Sequence, residues 1–142
     1  MSTTKLIAVF AENQPGQTAR VTRILADAGV NIRCVTIASN GTFGVMKFLV
    51  DKCEEGVRCL REKGLMVSLV EVLAVEVENK PGALQRVAET LGSSFINLDN
   101  CSGFVANDRA ILVNEVHDVT AACEALVARG HRVLTGEEML RL

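Results

Sequence analysis

The sequence predicts an α+β protein built from two copies of one small module, each with the element order βαββαβ. The pentapeptide Glu-Asn-Gln-Pro-Gly at 12–16 recurs 66 residues later as Glu-Asn-Lys-Pro-Gly at 78–82. The same shift relates apolar, Arg, Asn and Gly positions across both copies without a gap. Within each copy, short β-branched runs alternate with apolar residues at helical spacing. The length of 142 residues therefore accommodates two very small domains rather than one ordinary one.

The sequence of the first copy predicts four strands and two helices. A strand at 6–11 is followed by a helix that opens at Pro15-Gly16 and ends at Gly29, and strands at 31–38 and 43–50 flank the turn dipeptide Asn40-Gly41. A second helix ends at Gly64 before a strand at 66–72. The predicted inward faces of the two helices are Val21, Ile24, Leu25, Ala28 and Cys53, Val57, Leu60.

The second copy repeats this order from a strand at 74–77. Its first helix ends at Gly92, strands at 98–105 and 110–116 meet at Asn107-Asp108, and its second helix ends at Gly130 before a strand at 131–134. Thr135 ahead of two acidic residues predicts a short C-terminal helix. The expected core positions on the two main helices are Leu84, Val87, Ala88, Leu91 and Val119, Ala122, Cys123, Leu126.

This order of elements implies two ferredoxin-like modules, at 1–72 and 73–142, each an antiparallel sheet with its helices on one face. The segment 65–79 contains no Gly, Pro or polar cluster, so the fourth strand of the first copy is expected to run nearly straight into the first strand of the second. A unit of about 66 residues buries only about 60% of its unfolded surface, and we therefore expect the two copies to share an interface.

Composition excludes several classes of function. Fifteen Lys and Arg against seventeen Asp and Glu, with no Trp or Tyr, disfavour nucleic-acid binding. The first apolar run is too short for a signal peptide or a membrane span, which predicts a cytoplasmic protein without a membrane partner. Five cysteines without a Cys-x-x-Cys pair, and two His at no ligand spacing, predict reduced thiols, no metal site and no cofactor.

Each copy contains an apolar strand, then Glu-Asn-x-Pro-Gly, a helix with an Arg-Val pair, and Asn-Ile or Asn-Leu at the second strand. This pattern resembles the ACT domain, a small-molecule-sensing module of amino-acid metabolism. Both copies carry the pattern, with 18 residues from the loop Asn to the strand Asn in each. The resemblance implies effectors bound between modules, with the loop of one facing the second strand of its neighbour. The residues that it implies are Asn13, Gln14, Gly16, Asn79, Lys80 and Gly82 on the loop side, and Asn31, Ile32, Asn97 and Leu98 on the strand side.

The chemistry of the loop residues suits an α-amino acid. A helix N-terminus presents free N–H groups and a partial positive charge to a carboxylate, and Gly beside Pro permits close approach to the backbone. The amides of Asn13 and Asn79 can donate to a carboxylate and accept from an ammonium group. The alternative interpretation is that these amides bond their own loops, and that Arg20 and Arg86 are solvated helix residues.

The leading hypothesis is a non-catalytic regulatory protein that binds an amino acid and forms a homodimer, with its pockets built within the chain or by dimerisation. Alternatives are a regulatory subunit of an amino-acid biosynthetic enzyme such as acetolactate synthase, and a structural module without a ligand. A small enzyme is disfavoured, because neither His117 nor His131 belongs to an acid–base or nucleophilic constellation. Arg33-Cys34 in one copy against Asp99-Asn100 in the other indicates that the two sites differ and that one is degenerate.

Overall fold

The computed structural model describes residues 3–142. Contacts divide the chain into two compact units, Lys5–Val70 and Glu71–Leu142, with Thr3 and Thr4 grouped with the second. We call them module 1 and module 2. Across the described residues, no helix combines the length and the apolar character needed to cross a membrane.

Module 1 has the predicted βαββαβ order. Its elements are β1 (Thr4–Glu12), α1 (Gln17–Asp27), β2 (Ile32–Asn40), β3 (Phe43–Val50), α2 (Cys53–Glu62) and the first part of β4 (Met66–Glu78). The strand order is β2-β3-β1-β4, with β3 antiparallel to both of its neighbours. The helices cover one face of this sheet, where Ile7, Val9, Phe48, Val21 and Leu60 are fully buried in one core.

Module 2 repeats the architecture and adds a C-terminal helix. It comprises the second part of β4, then α3 (Ala83–Ser93), β5 (Leu98–Ala106), β6 (Arg109–Val116), α4 (Val119–Ala128), β7 (Arg132–Leu134) and α5 (Gly136–Leu140). The strand order is β7-β4-β6-β5, all antiparallel. Its core is formed by Leu73, Val75, Val87, Leu91, Val116, Ala122, Cys123 and Leu126.

The predicted fold class is confirmed, and so are several of its details. One uninterrupted strand, β4, contains both the last strand of the first copy and the first strand of the second. Thr135 and Glu138 form a reciprocal capping box at the start of α5, where the sequence predicts a short helix. The β5–β6 hairpin turns at Asn107-Asp108, and both residues have positive φ (52° and 65°), as the tightest hairpin turn requires.

The structure corrects two expectations for α3. Leu84 and Ala88, which we expected in the core, are exposed, because they lie on either side of the buried stripe that Ala83, Val87 and Leu91 form along this helix. The helix also continues through Gly92 to Ser93 instead of ending at the glycine. The residue with left-handed backbone after α3 is Phe95 (φ 58°), at the position that Gly29 (φ 72°) fills after α1.

Candidate functional site

The β1–α1 loop of module 1 ends at a helix N-terminus with open backbone donors. Gly16 is the N-cap of α1, with φ 91°, and provides no side-chain cap. Its carbonyl accepts the first helical bond from the Arg20 N–H at 2.9 Å. Among the described residues, the N–H groups of Thr18 and Ala19 have no protein partner. An anion placed against this turn would meet two unsatisfied donors and the positive end of the helix dipole.

Asn13 is tied to its own module. Its side-chain Nδ2 donates to the Gly41 carbonyl at 3.2 Å, and its backbone N–H donates to the Thr42 carbonyl at 2.7 Å. Both acceptors lie in the β2–β3 turn, so Asn13 fixes the loop against that turn. The alternative interpretation, in which a loop Asn bonds within its own module, is therefore correct for the Nδ2 of Asn13. The Oδ1 of Asn13 accepts no bond from the described residues.

The equivalent loop in module 2 has the same backbone and a freer Asn. Gly82 (φ 90°) is the uncapped start of α3, and the N–H groups of Leu84 and Gln85 lack partners across residues 3–142. Lys80 Nζ pairs with Glu78 Oε2 at 2.9 Å, and this contact is the main cause that lowers the pKa of the Glu78 carboxyl. The side chain of Asn79 is exposed and bonds to none of the described residues.

The strand-side residues lie at the starts of β2 and β5. Asn31 exchanges two bonds with Asp51, from the Asn31 N–H to Asp51 Oδ1 at 2.9 Å and from the Asp51 N–H to the Asn31 carbonyl at 3.2 Å. Its side-chain amide has no partner in the described part of the chain. Asn97 differs, because its Nδ2 donates to Asp99 Oδ1 at 2.9 Å.

The neighbours of these Asn residues contribute to the cores. Ile32 packs against the core of module 1 and Leu98 against the core of module 2. What remains for a ligand at these two positions is mainly backbone. The Asn side chains are therefore the groups on this side that carry specific polar chemistry.

The loop and strand residues of one module do not meet. Glu12, just before the loop, is paired with Phe43 at the beginning of β3, whereas Ile32 is paired with Val50 at its end. Seven residues of strand separate these positions by about 24 Å. Each module thus presents its predicted loop residues at one end of its sheet and its predicted strand residues at the other end. The assignment of the ten ligand-binding residues stays a prediction.

The cysteines near these elements are not activated. Burial raises the pKa of the Cys34, Cys53 and Cys101 thiols, which therefore stay protonated at neutral pH. All five cysteines are free. Within residues 3–142, no group of His, Cys, Asp and Glu side chains is arranged to hold a metal ion.

Module 2 contains a cavity that the sequence analysis did not predict. Its volume is about 490 Å³, and Arg86, Thr90, Arg129, His131 and Arg132 are among the residues that line it. The signal was present in the repeat, because Thr90 and His131 replace Ile24 and Leu65 of the first copy. The repeat is thus broken at two positions whose side chains contact each other in the folded module.

Each of the two ferredoxin-like modules starts its first helix at an uncapped Pro-Gly turn. A family profile described as an ACT domain pair matches residues 1–142. The chain belongs to this family, as the resemblance of both copies implied.

Solved structures share the fold. Protein BT0572 from Bacteroides thetaiotaomicron superposes with a TM-score of 0.92 at 24% identity, over 99% of this chain and 97% of that one. The regulatory subunit of aspartate kinase from Thermus thermophilus, in a ligand-free form, gives 0.60 at 17% identity, over 89% and 91% of the two chains. The equivalent subunit from Thermus flavus gives 0.59 at 16% identity, over 90% and 96%. No curated protein sequence matches the chain.

Proposed function

We propose that the protein is a non-catalytic regulator that binds a free α-amino acid at its Pro-Gly helix starts. The observation that carries this proposal is the pair of open backbone donors at the start of α3, next to the unbonded amide of Asn79. The donors and the helix dipole suit the α-carboxylate. The Asn79 oxygen suits the α-ammonium group, so both charged groups of an amino acid have a partner.

The strand-side contact comes from another module, since the loop and strand of one module lie at opposite ends of its sheet. We propose that the protein is a homodimer in which Asn31 of a second copy faces the Asn79 loop. Asn79 and Asn31 are the loop and strand amides without partners among the described residues, whereas Asn13 and Asn97 are bonded to Gly41 and Asp99. This difference supports one functional pair and one degenerate pair.

The output of binding is a change in the population of a protein–protein arrangement. An effector that contacts two copies stabilises the dimer by its differential affinity, which is typically about 1–3 kcal/mol in allosteric proteins. We propose that the partner that responds is an enzyme of amino-acid metabolism. The shared fold of the aspartate kinase regulatory subunits is consistent with such a role.

The test is a panel of the twenty amino acids, added singly to the intact chain, with melting temperature and sedimentation velocity as readouts. We expect one amino acid, or a small chemical group of them, to raise both the melting temperature and the dimer fraction with micromolar to millimolar affinity. Asn79→Ala should weaken that binding about tenfold. If no amino acid changes either readout, the sensor proposal is wrong and a structural module is favoured.

The internal repeat supplies a matched control for this test. Asn13→Ala removes the equivalent loop amide, which already bonds to the Gly41 carbonyl, so its effect should fall on stability more than on affinity. Equal losses of affinity in Asn13→Ala and Asn79→Ala would show two working sites and contradict the degenerate pair.

A further inference from the structure

The cavity in module 2 is lined by three arginines and a histidine. Arg86 comes from α3, Arg129 and His131 come from the segment between α4 and β7, and Arg132 begins β7. Three glutamates, Glu76, Glu78 and Glu89, also line it. The balance of charge in the cavity therefore depends on which of these groups already have partners.

Two of the three glutamates are held in ion pairs, and the third, Glu89, is held by a neutral amide. Glu76 bonds to Arg109 through one oxygen and to Arg132 through the other at 3.1 Å. Glu78 pairs with Lys80, and Glu89 Oε2 accepts a bond from Gln85 at 2.8 Å. Arg86 and Arg129, in contrast, have no ion-pair partner within the described chain. Two unpaired guanidinium groups thus remain at the cavity wall.

A buried hydroxyl fixes the orientation of the His131 imidazole, which lines the same cavity. Thr90 is 4% exposed, and its hydroxyl donates its only proton to the Arg86 carbonyl at 2.9 Å. The same oxygen lies 2.9 Å from His131 Nε2 and therefore accepts from it, which places the proton of the neutral ring on Nε2. The other ring nitrogen, Nδ1, has no partner among residues 3–142.

The positions in module 1 equivalent to this polar pair are occupied by residues that only pack. The equivalents of Thr90 and His131 are Ile24 and Leu65, which pack against the core of module 1. The equivalent of Arg86 is Arg20, whose Nη2 donates to the Lys63 carbonyl at 3.2 Å. Module 2 thus replaces an apolar pair with a polar pair beside two unpaired arginines. The mutual hydrogen bond of Thr90 and His131 offsets much of the cost of burying polar groups, and it leaves polar chemistry at a position where module 1 has only packing.

We propose that this cavity binds a small oxyanion, a phosphate or carboxylate group, through Arg86 and Arg129, with His131 Nδ1 as a third donor. Guanidinium groups match the geometry of both oxyanions. When the anion binds, the ring takes up one proton from solvent, because Nε2 already donates to Thr90 and Nδ1 must then also donate. Burial and the nearby charges of Arg86 and Arg129 lower the pKa of His131, so the ring is neutral at pH 7 until a bound anion offsets those charges.

The test uses NMR titration of the two imidazoles of the intact protein, because His117 lies outside the cavity and acts as an internal control. The probes are inorganic phosphate and malonate, each at constant ionic strength against chloride. We expect the bound anion to raise the apparent pKa of His131, and we expect its addition at fixed pH to leave the His117 resonances in place. The probe that binds with the higher affinity shows whether the cavity prefers a phosphate or a carboxylate group.

Variants connect the response to the two arginines. Arg129→Gln should weaken anion binding about tenfold or more by calorimetry. Lys63→Gln, the equivalent change in module 1, should leave binding unchanged. The double variant Thr90→Ile with His131→Leu restores the pair found in the first copy, so it is expected to fold while binding the anion weakly.

Two results would overturn the proposal: phosphate and malonate acting no differently from chloride, or Arg129→Gln binding both probes as the unmodified protein does. Either result can be told apart from a failure of the amino-acid sensor proposal. The calorimetric probes carry no ammonium group, and Arg129 is not one of the residues of the Asn79 loop.

Discussion

Asn114 occupies in β6 the position that Phe48 occupies in β3, and both side chains are fully buried. Phe48 belongs to the apolar core of module 1. Asn114 instead donates from Nδ2 to the Leu73 carbonyl at 3.1 Å and to the Leu112 carbonyl at 3.0 Å. The two modules therefore share a fold but use opposite chemistry at an equivalent interior point.

Asn114→Ala should lower the free energy of unfolding by about 2–3 kcal/mol, because it removes two buried hydrogen bonds. Asn114→Asp should add a pH dependence, since a carboxylate would face two carbonyl oxygens and its pKa would be raised in the folded state. Stability of that variant should then fall as the pH rises from 4 to 8. Urea denaturation at several pH values measures both effects, and a pH-independent Asn114→Asp would contradict this account of the contacts.

Most of the fold could be predicted from the repeat, and the exceptions have local causes. Apolar spacing, with the capping signal at Thr135, predicted every helix and strand, but it placed Leu84 and Ala88 inside because both lie within one turn of Val87 and Leu91. The structure instead buries Ala83 and Thr90 with Val87 and Leu91. For the site, the sequence indicated which loops matter but not which Asn amides are free, because Asn13 and Asn97 find their partners only in the folded chain.

The end of α3 offers a route to a more stable protein. Phe95 has left-handed backbone (φ 58°), and its side chain is 98% exposed, so it gains little from packing. Phe95→Gly should raise the free energy of unfolding by about 1 kcal/mol by relieving the steric conflict at Cβ. Thermal and urea denaturation measure this change.

Two further substitutions identify the cause of that gain. Phe95→Ala retains a Cβ and should stay near the stability of the unmodified protein. Gly29→Ala introduces a Cβ at the equivalent position of module 1 (φ 72°) and should destabilise by about 1 kcal/mol. If Phe95→Ala stabilises as much as Phe95→Gly, the exposed ring and not the backbone is responsible.

The start of α4 depends on a single capping carboxylate. Asp118 accepts a hydrogen bond from the Ala121 N–H at 3.0 Å, whereas Lys52, its equivalent before α2, makes no such cap. Asp118→Ala should cost about 1 kcal/mol of stability, and Asp118→Asn, which keeps the accepting oxygen, should cost less. Equal losses in the two variants would show that charge, not capping, is what Asp118 contributes.

His131 should give the protein an acid-sensitive stability. Burial, with Arg86 and Arg129 nearby, lowers the pKa of this ring below the ordinary value of 6.5, so the unfolded chain binds its proton more readily than the folded one. The contribution is therefore fully present above pH 6.5 and is lost as the pH falls from there through the lowered folded-state pKa. His131→Leu should remove this part of the decline, and His117→Ala should retain it. Chemical denaturation between pH 5 and pH 8 measures the slopes, and an unchanged slope in His131→Leu would show that another group governs the acid response.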